Sequence, residues 1–189
     1  MAIRDIIIWP DSRLLKLSKA VELQDGKVPD DVKTLIKDLF LTMYEADGVG
    51  LAAPQVGVLL RVVVVDIRSY DREQGDAQVE VPAGETAIAL INPVFSNKSG
   101  KLEWEEGCLS VPGETGMVTR AAQCRVEYLD IDGQPQVIEA QGLKAVALQH
   151  ECDHLEGKLF VDYLSPLKRN VIKRKMLRLI ERNAHDEQG

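Results

Sequence analysis

The chain has 189 residues, 45% of them hydrophobic, and a formal net charge of -7. That length suffices for one well-buried core without demanding a second, so a single catalytic domain over 1–189 is expected. The acidic balance gives no global pull toward nucleic acid, and three cysteines are too few, and odd in number, for a disulfide framework.

In chain order, the apolar run Ile6 to Trp9 stops at Pro10, too short for a signal peptide or a membrane span, and the expected location is the cytoplasm. Asp11, Leu14, Leu15 and Leu17 suggest a short helical stretch. The first long helix is expected from an N-cap at Asp30 toward Asp47, with Val32, Leu35, Ile36, Leu39 and Met43 on one face and Gly48 as its stop. Residues 48–57, GVGLAAPQVG, are small and glycine-rich, so backbone can approach a neighbour closely there. Arg61 to Ile67 is β-branched and reads as a buried strand, 68–86 as an exposed polar loop, and Ala87 to Phe95 as a second strand before a turn around Asn97 to Gly100. Residues 103–113, EWEEGCLSVPG, read as irregular. Met117 to Ile131 alternates as one half-buried strand, and Asp132-Gly133 turns it into a partner through Ile138. A buried helix is expected from about Gly142 to Glu156, closed by Gly157, and a last helix from Ser165-Pro166. The order of elements predicts an α+β fold, mainly antiparallel strands around that central helix, with an amphipathic C-terminal helix.

The central helix carries the chemistry. Two of the three histidines, His150 and His154, stand one turn apart around Glu151 in an HExxH pattern, so both can grip one metal ion. Leu143, Val146, Ala147, His150 and His154 share one helix face, while Ala145, Leu148, Cys152 and Leu155 make a second apolar stripe. A helix apolar on both sides is buried, and buried imidazoles need partners. A catalytic site of this kind takes a third protein ligand. Cys152 points about 200° away from His150 on the helix, and Cys124 sits on the apolar face of its strand. Cys108 lies in an irregular segment free to present a thiolate, and elimination favours it over a carboxylate such as Glu106 or Glu156. Glu151 beside the first histidine suits a proton carrier.

Taken together, GVGLAAPQ (48–55), EGCLS (106–110) and QHECDH (149–154) resemble the three motifs of the peptide deformylase family, and the likeness extends to Arg120 and to DYLSPLKR, Asp162 to Arg169. The resemblance implies removal of the formyl group from nascent formylmethionyl polypeptides. It implies metal ligation by Cys108, His150 and His154, catalysis by Glu151, and oxyanion stabilisation by the Gln55 side-chain amide and the Leu109 N–H. From its residues alone, Gln55 reads equally as a loop side chain bonding locally. Gly50, and with it Gly107, is expected to meet the extended peptide, and Val49, Leu143, Val146 and Ala147 to wall the methionine pocket. The implied metal is Fe²⁺, which Zn²⁺, Ni²⁺ or Co²⁺ can replace. Two departures, a longer stretch at 68–86 and Glu114-Thr115-Gly116 in place of bulkier residues, bear on contacts to substrate beyond the first residue.

Two rivals stand beside this reading. A zinc endopeptidase would share HExxH, but no downstream protease-type ligand motif is evident. A nucleic-acid-binding module would use the C-terminal helix, where Lys168, Arg169, Lys173, Arg174, Lys175, Arg178 and Arg182 face the single acid Glu181 within 165–183. The plain account of that helix is packing through Val171, Ile172, Met176, Leu179 and Ile180 with a solvated basic face. The asymmetry also suits docking on ribosomal RNA, in keeping with the resemblance.

Overall fold

The computed structural model describes residues 2–66 and 87–186. The loop expected at 68–86 lies outside them, as does Ile67. A short 3₁₀ helix, Ser12–Leu15, is capped by the Asp11 side chain, which accepts from the Arg13 backbone N–H. Helix α1 (Asp30–Glu45) follows, with its five expected apolar positions all buried. Its ends differ from expectation. Asp30 lies inside the first turn behind Pro29, where its carboxylate complements the helix dipole instead of capping. At the other end Asp47, not Gly48, takes the left-handed conformation at φ 51. The Asp47 N–H donates to the Tyr44 carbonyl (3.1 Å) and the Gly48 N–H to Met43 (2.8 Å), the paired bonds of a Schellman end.

Strands β1 (Gly50–Ala52), β2 (Val62–Asp66), β3 (Ala87–Ser99), β6 (Gln123–Leu129) and β7 (Pro135–Gln141) form one antiparallel sheet in the order β1-β2-β3-β6-β7. Strands β4 (Leu102–Gly107) and β5 (Thr115–Arg120) pair separately. Successive side chains of a strand face opposite ways, and β2 uses both faces. Val62 and Val64 pack with α1, while Val63 and Val65 pack with Ala145, Leu148 and Leu155 of α2 (Gly142–Leu155). The large sheet therefore lies between α1 and α2, and α2 is buried as its two apolar stripes require.

Two expectations are corrected here. Residues 103–113 are not irregular throughout, since β4 occupies their first part. The single strand expected over 117–131 is two, β5 and β6, in different sheets. The break falls at Ala121, whose N–H donates to Gln149 Oε1 (3.1 Å) and whose carbonyl accepts from Gln149 Nε2 (2.9 Å). A side chain of α2 thus replaces the strand partner. Alternation of burial continues across the break, so periodicity gave no sign of it.

Helix α3 (Pro166–Asp186) begins where expected, with Ser165 Oγ accepting from the Lys168 N–H. Ile172 and Met176 enter a third core with Trp9, Val118, Leu159 and Phe160, and Leu179 packs against it. Val171 and Ile180, expected in that interface, are exposed instead, because 172, 176 and 179 already complete the narrow buried stripe. Among the described residues, no helix is long and apolar enough to cross a membrane.

Candidate active site

Helix α2 presents His150 and His154 toward the end of β4, where the chain leaves Gly107 and turns back. The turn is closed by the Val111 N–H donating to the Cys108 carbonyl (2.8 Å), and Trp9 N–H pins the Ser110 carbonyl (2.9 Å). Cys108 is thereby set against the histidines, its Sγ 3.4 Å from His154 Nε2. One donor atom from each of Cys108, His150 and His154 lies within 4.8 Å of the others. Glu106 and Glu156, the carboxylate alternatives, are not part of this cluster. A thiolate and two imidazoles suit a divalent transition metal. Beside them Glu151 is 6% exposed, and its Oε2 has no hydrogen-bond partner among the described residues. A buried carboxylate oxygen left without a partner, on the residue next to His150, fits a site meant to hold a metal and a water.

His150 is braced from behind. Its Nδ1 lies 2.8 Å from Glu106 Oε2, so an N–H there donates to the carboxylate and leaves Nε2 for a metal. Glu106 also accepts from Arg120 Nε (2.7 Å) and Nη2 (2.9 Å), and Arg120 Nη1 bonds Asp153. Tyr163 O–H completes the chain by donating to Asp153 (2.7 Å), with its ring under the Arg120 guanidinium. Burial opposes ionisation of Glu106, but the bonds from Arg120 and His150 overcome it and hold the carboxyl below its ordinary range. For His150 burial likewise works against charge, and hydrogen bonds to Cys108 and Glu106 outweigh it, raising the imidazole well above its usual value. Among the described residues His154 has no such carboxylate, and burial, with His150 nearby, drives it well down. Burial also pushes Glu151 up to about 7, where a carboxyl can both take and give a proton near neutrality.

A cavity of about 560 Å³ opens onto this cluster. Gly50, Gln55, Glu151, Cys108 and His150 line its inner end, with Gly107 and Leu109 on the β4 side. Val49 and the α2 residues Leu143, Val146 and Ala147 also line it. Every site residue expected from the sequence except His154 therefore borders the cavity, and His154, 1% exposed, joins the cluster from behind. Gln55 is held locally, its Oε1 accepting from the Ala52 N–H (2.8 Å). That hold aims its amide at Ser110 Oγ (3.1 Å) and Cys108 Sγ (3.5 Å). The close approach expected of the glycine-rich stretch occurs at Gly50, where a Cβ would stand 2.4 Å from Glu151 Oε1.

Several participants escaped the sequence reading: Trp104 in the cavity wall, Ser110 beneath Gln55, and Asp153 and Tyr163 in the chain behind His150, while Glu106 was weighed only as a ligand and not as the partner of His150. One clue was present. Arg120 occupies an inward position of β5 two residues from buried Val118, and a buried guanidinium requires carboxylates close by.

A cysteine and an HExxH pair converging on a cavity define a metallohydrolase. Comparison with known proteins narrows this. The family model described as polypeptide deformylase matches residues 3–170. The chain is 47% identical over 180 residues to the peptide deformylase of Alkalilimnicola ehrlichii, covering 95% of this chain and 92% of that one. It is 46% identical over 185 residues to peptide deformylase 1 of Pseudomonas syringae pv. tomato, covering 97% and 100%. The crystal structure of a peptide deformylase from Legionella pneumophila superposes with a TM-score of 0.83 at 46% identity, covering 97% and 98%. The chain belongs to the polypeptide deformylase family, and its activity is the hydrolytic removal of N-formyl groups from nascent peptides.

Replacing Glu106 by Gln removes the negative charge behind His150 while keeping its shape. Metal affinity is expected to fall about 10–100-fold, read by chelator competition with Co²⁺ or Zn²⁺ while circular dichroism confirms the fold. Unchanged affinity would show that His150 needs no such brace.

Proposed function

We propose that Cys108, His150 and His154 hold the catalytic metal and that Glu151 moves the protons of deformylation. The carrying observation is the buried Glu151 carboxylate, whose Oε2 has no hydrogen-bond partner among the described residues, at a cavity-lining position adjacent in sequence to the first histidine of the cluster. A divalent metal bound there lowers the pKa of water toward about 7 and polarises the formyl carbonyl. Glu151 takes the proton of the attacking water and returns it to the departing amine nitrogen, whose protonation completes cleavage of the amide. The Gln55 amide, already directed toward Cys108, donates to the carbonyl oxygen as it gains charge, and the Leu109 N–H is the second donor.

The peptide enters extended, with the backbone edges at Gly50 and Gly107 on either side of it, as in strand addition. Val49, Leu143, Val146 and Ala147 give the methionine side chain an apolar wall, and the cavity volume falls within the range of small-ligand sites. The whole chain acts as one catalytic domain in the cytoplasm on formylmethionyl nascent chains. Its basic C-terminal helix docks on the ribosome. Arg169 and Lys175 are committed to Asp162 and Glu114, whereas Lys173, Arg174, Arg178 and Arg182 are exposed. The resident metal is Fe²⁺, although Zn²⁺, Ni²⁺ and Co²⁺ fit the same donors and several bind them more tightly.

Glu151→Gln is expected to keep the metal and lose at least about a hundredfold in kcat, measured as formate release from formyl-Met peptides with metal content determined in parallel. Near-normal turnover would remove Glu151 from this role.

Because Ile172 and Met176 are core residues, the docking test neutralises charge and leaves the helix in place. Exchanging Lys173, Arg174, Arg178 and Arg182 for Gln should weaken ribosome association and flatten its salt dependence, with short-peptide turnover retained. Equal binding by both proteins would count against docking through α3.

Protein isolated without oxygen is expected to contain iron and to lose activity in air as Cys108 advances to sulfinic acid, visible by mass spectrometry, while nickel-substituted protein persists. Anaerobic protein containing only zinc and fully active would defeat the iron assignment.

A further inference from the structure

The 3₁₀ turn Phe160–Tyr163 lies between α2 and α3 and reaches His150 by two routes. At its start the buried Phe160 ring stacks on the imidazole, with 6.5 Å between centroids and 22° between planes. At its end Tyr163 meets the charged chain behind the same imidazole. Its O–H donates to Asp153 Oδ2 (2.7 Å), the oxygen that also takes Arg120 Nη1, and its ring centroid lies 4.5 Å from the Arg120 guanidinium carbon. Arg120 grips Glu106 through Nε and Nη2, and the Glu106 oxygen that takes Nη2 is the one that meets His150 Nδ1. Tilting the guanidinium at its Asp153 end therefore moves the carboxylate that holds the imidazole. His154 Nδ1 has no partner among the described residues, so this brace acts on His150.

Exposure rises along this chain, from 3% for the Glu106 side chain to 16% for that of Asp153, and Tyr163 itself is exposed. Water reaching Asp153 competes for the outer bond of Arg120, whose guanidinium is buried and needs its partners kept. Tyr163 counters this twice, because its hydroxyl gives Asp153 a fixed donor and its ring lays a π face against the cation. Burial and the bond to Asp153 push the hydroxyl up to about 12, so it stays protonated near neutrality. The turn that carries it is held on both sides. Leu159 N–H donates to Asp162 Oδ2 (2.9 Å), Asp162 Oδ1 pairs with Arg169 of α3 (2.7 Å), and Leu164 packs where Gly116 has no side chain. Tyr163 is not among the residues that line the cavity.

We infer that Tyr163 is a positioning residue for the metal site, holding Asp153 and Arg120 so that Glu106 keeps the His150 ring turned with Nε2 toward the metal. This rests on the reading of Cys108, His150 and His154 as the ligands. Tyr163 acts through the Arg120–Glu106 pair and touches no substrate, so its effect falls on metal retention and leaves KM alone.

The test measures Co²⁺ affinity of the full chain by chelator competition. Tyr163→Phe removes the hydroxyl and keeps the ring, and Tyr163→Ala removes both. Affinity should fall about threefold in the first and about tenfold in the second, at or below the low end of what losing a direct partner of a ligand costs. KM for a short formyl-Met peptide should not change. In the Glu106→Gln background, where the chain is already cut, adding either Tyr163 substitution should alter affinity by less than about 1.5-fold. A residue that only supports the fold would lower affinity equally in both backgrounds. Unchanged affinity in both Tyr163 variants, or the same loss with and without Glu106→Gln, overturns the inference. Tyr163→Phe deletes one hydroxyl from an exposed residue, so the outcome is read in folded protein even where Tyr163→Ala is unstable. His150→Ala separates the two levels. Wild-type affinity in that variant rejects the ligand reading and this inference with it, whereas its loss beside unaltered Tyr163 variants rejects only the positioning role.

Discussion

The hydrogen bond between His150 and Glu106 is the constraint on which the site depends. It joins α2 to β4, and through Arg120 it reaches β5, so three elements from distant parts of the chain meet at one buried carboxylate. Charges buried this deeply are tolerated only when each has its partner, and removing one leaves the rest uncompensated. The bidentate Arg120 contact and the Asp153 and Tyr163 contacts behind it satisfy that demand. The same bonds fix which ring nitrogen of His150 faces the cysteine. Structural and chemical requirements therefore coincide in one group of side chains.

Around this group the fold acts as a vice. The valines of β2 alternate between α1 and α2, so both helices press on the same sheet and α2 has little freedom to rotate. Gly157 closes α2 at φ 68, where a Cβ would stand 2.6 Å from the Leu15 carbonyl, and the N-terminal segment can lie directly on the helix end. Gly50 permits the same intimacy from β1 toward Glu151. A carboxylate held by neighbours at contact distance needs little reorganisation to act.

Much of this was legible in the residues. The spacing of His150, Glu151 and His154, the double apolar stripe of α2 and the exclusion of Cys124 and Cys152 led to three residues that the fold brings together, because helix periodicity is a local property. Pattern failed where the answer lay in tertiary pairing. The division of β5 from β6 depends on Gln149 reaching across to Ala121, and no window of sequence contains both. Strand β4 looked irregular since Glu105 and Glu106 weaken any β pattern, yet Glu106 is inward because Arg120 awaits it. Gln55 illustrates a middle case: its local bond to Ala52 is what a loop residue would make, and that bond is what directs its amide into the cavity.

The three cysteines have unequal fates. Burial pushes the Cys124 thiol up to about 11 and the Cys152 thiol further still, so both remain protonated and behave as small hydrophobes. Cys108 alone is half-buried, at the cavity. A thiol that is oxidised can be rescued from within only if a second, ionisable thiol attacks it to form a disulfide. This chain keeps no such partner in reserve. Its metal-site sulfur is unprotected by any resolving cysteine, and recovery from oxidation has to come from external reductants or from new synthesis.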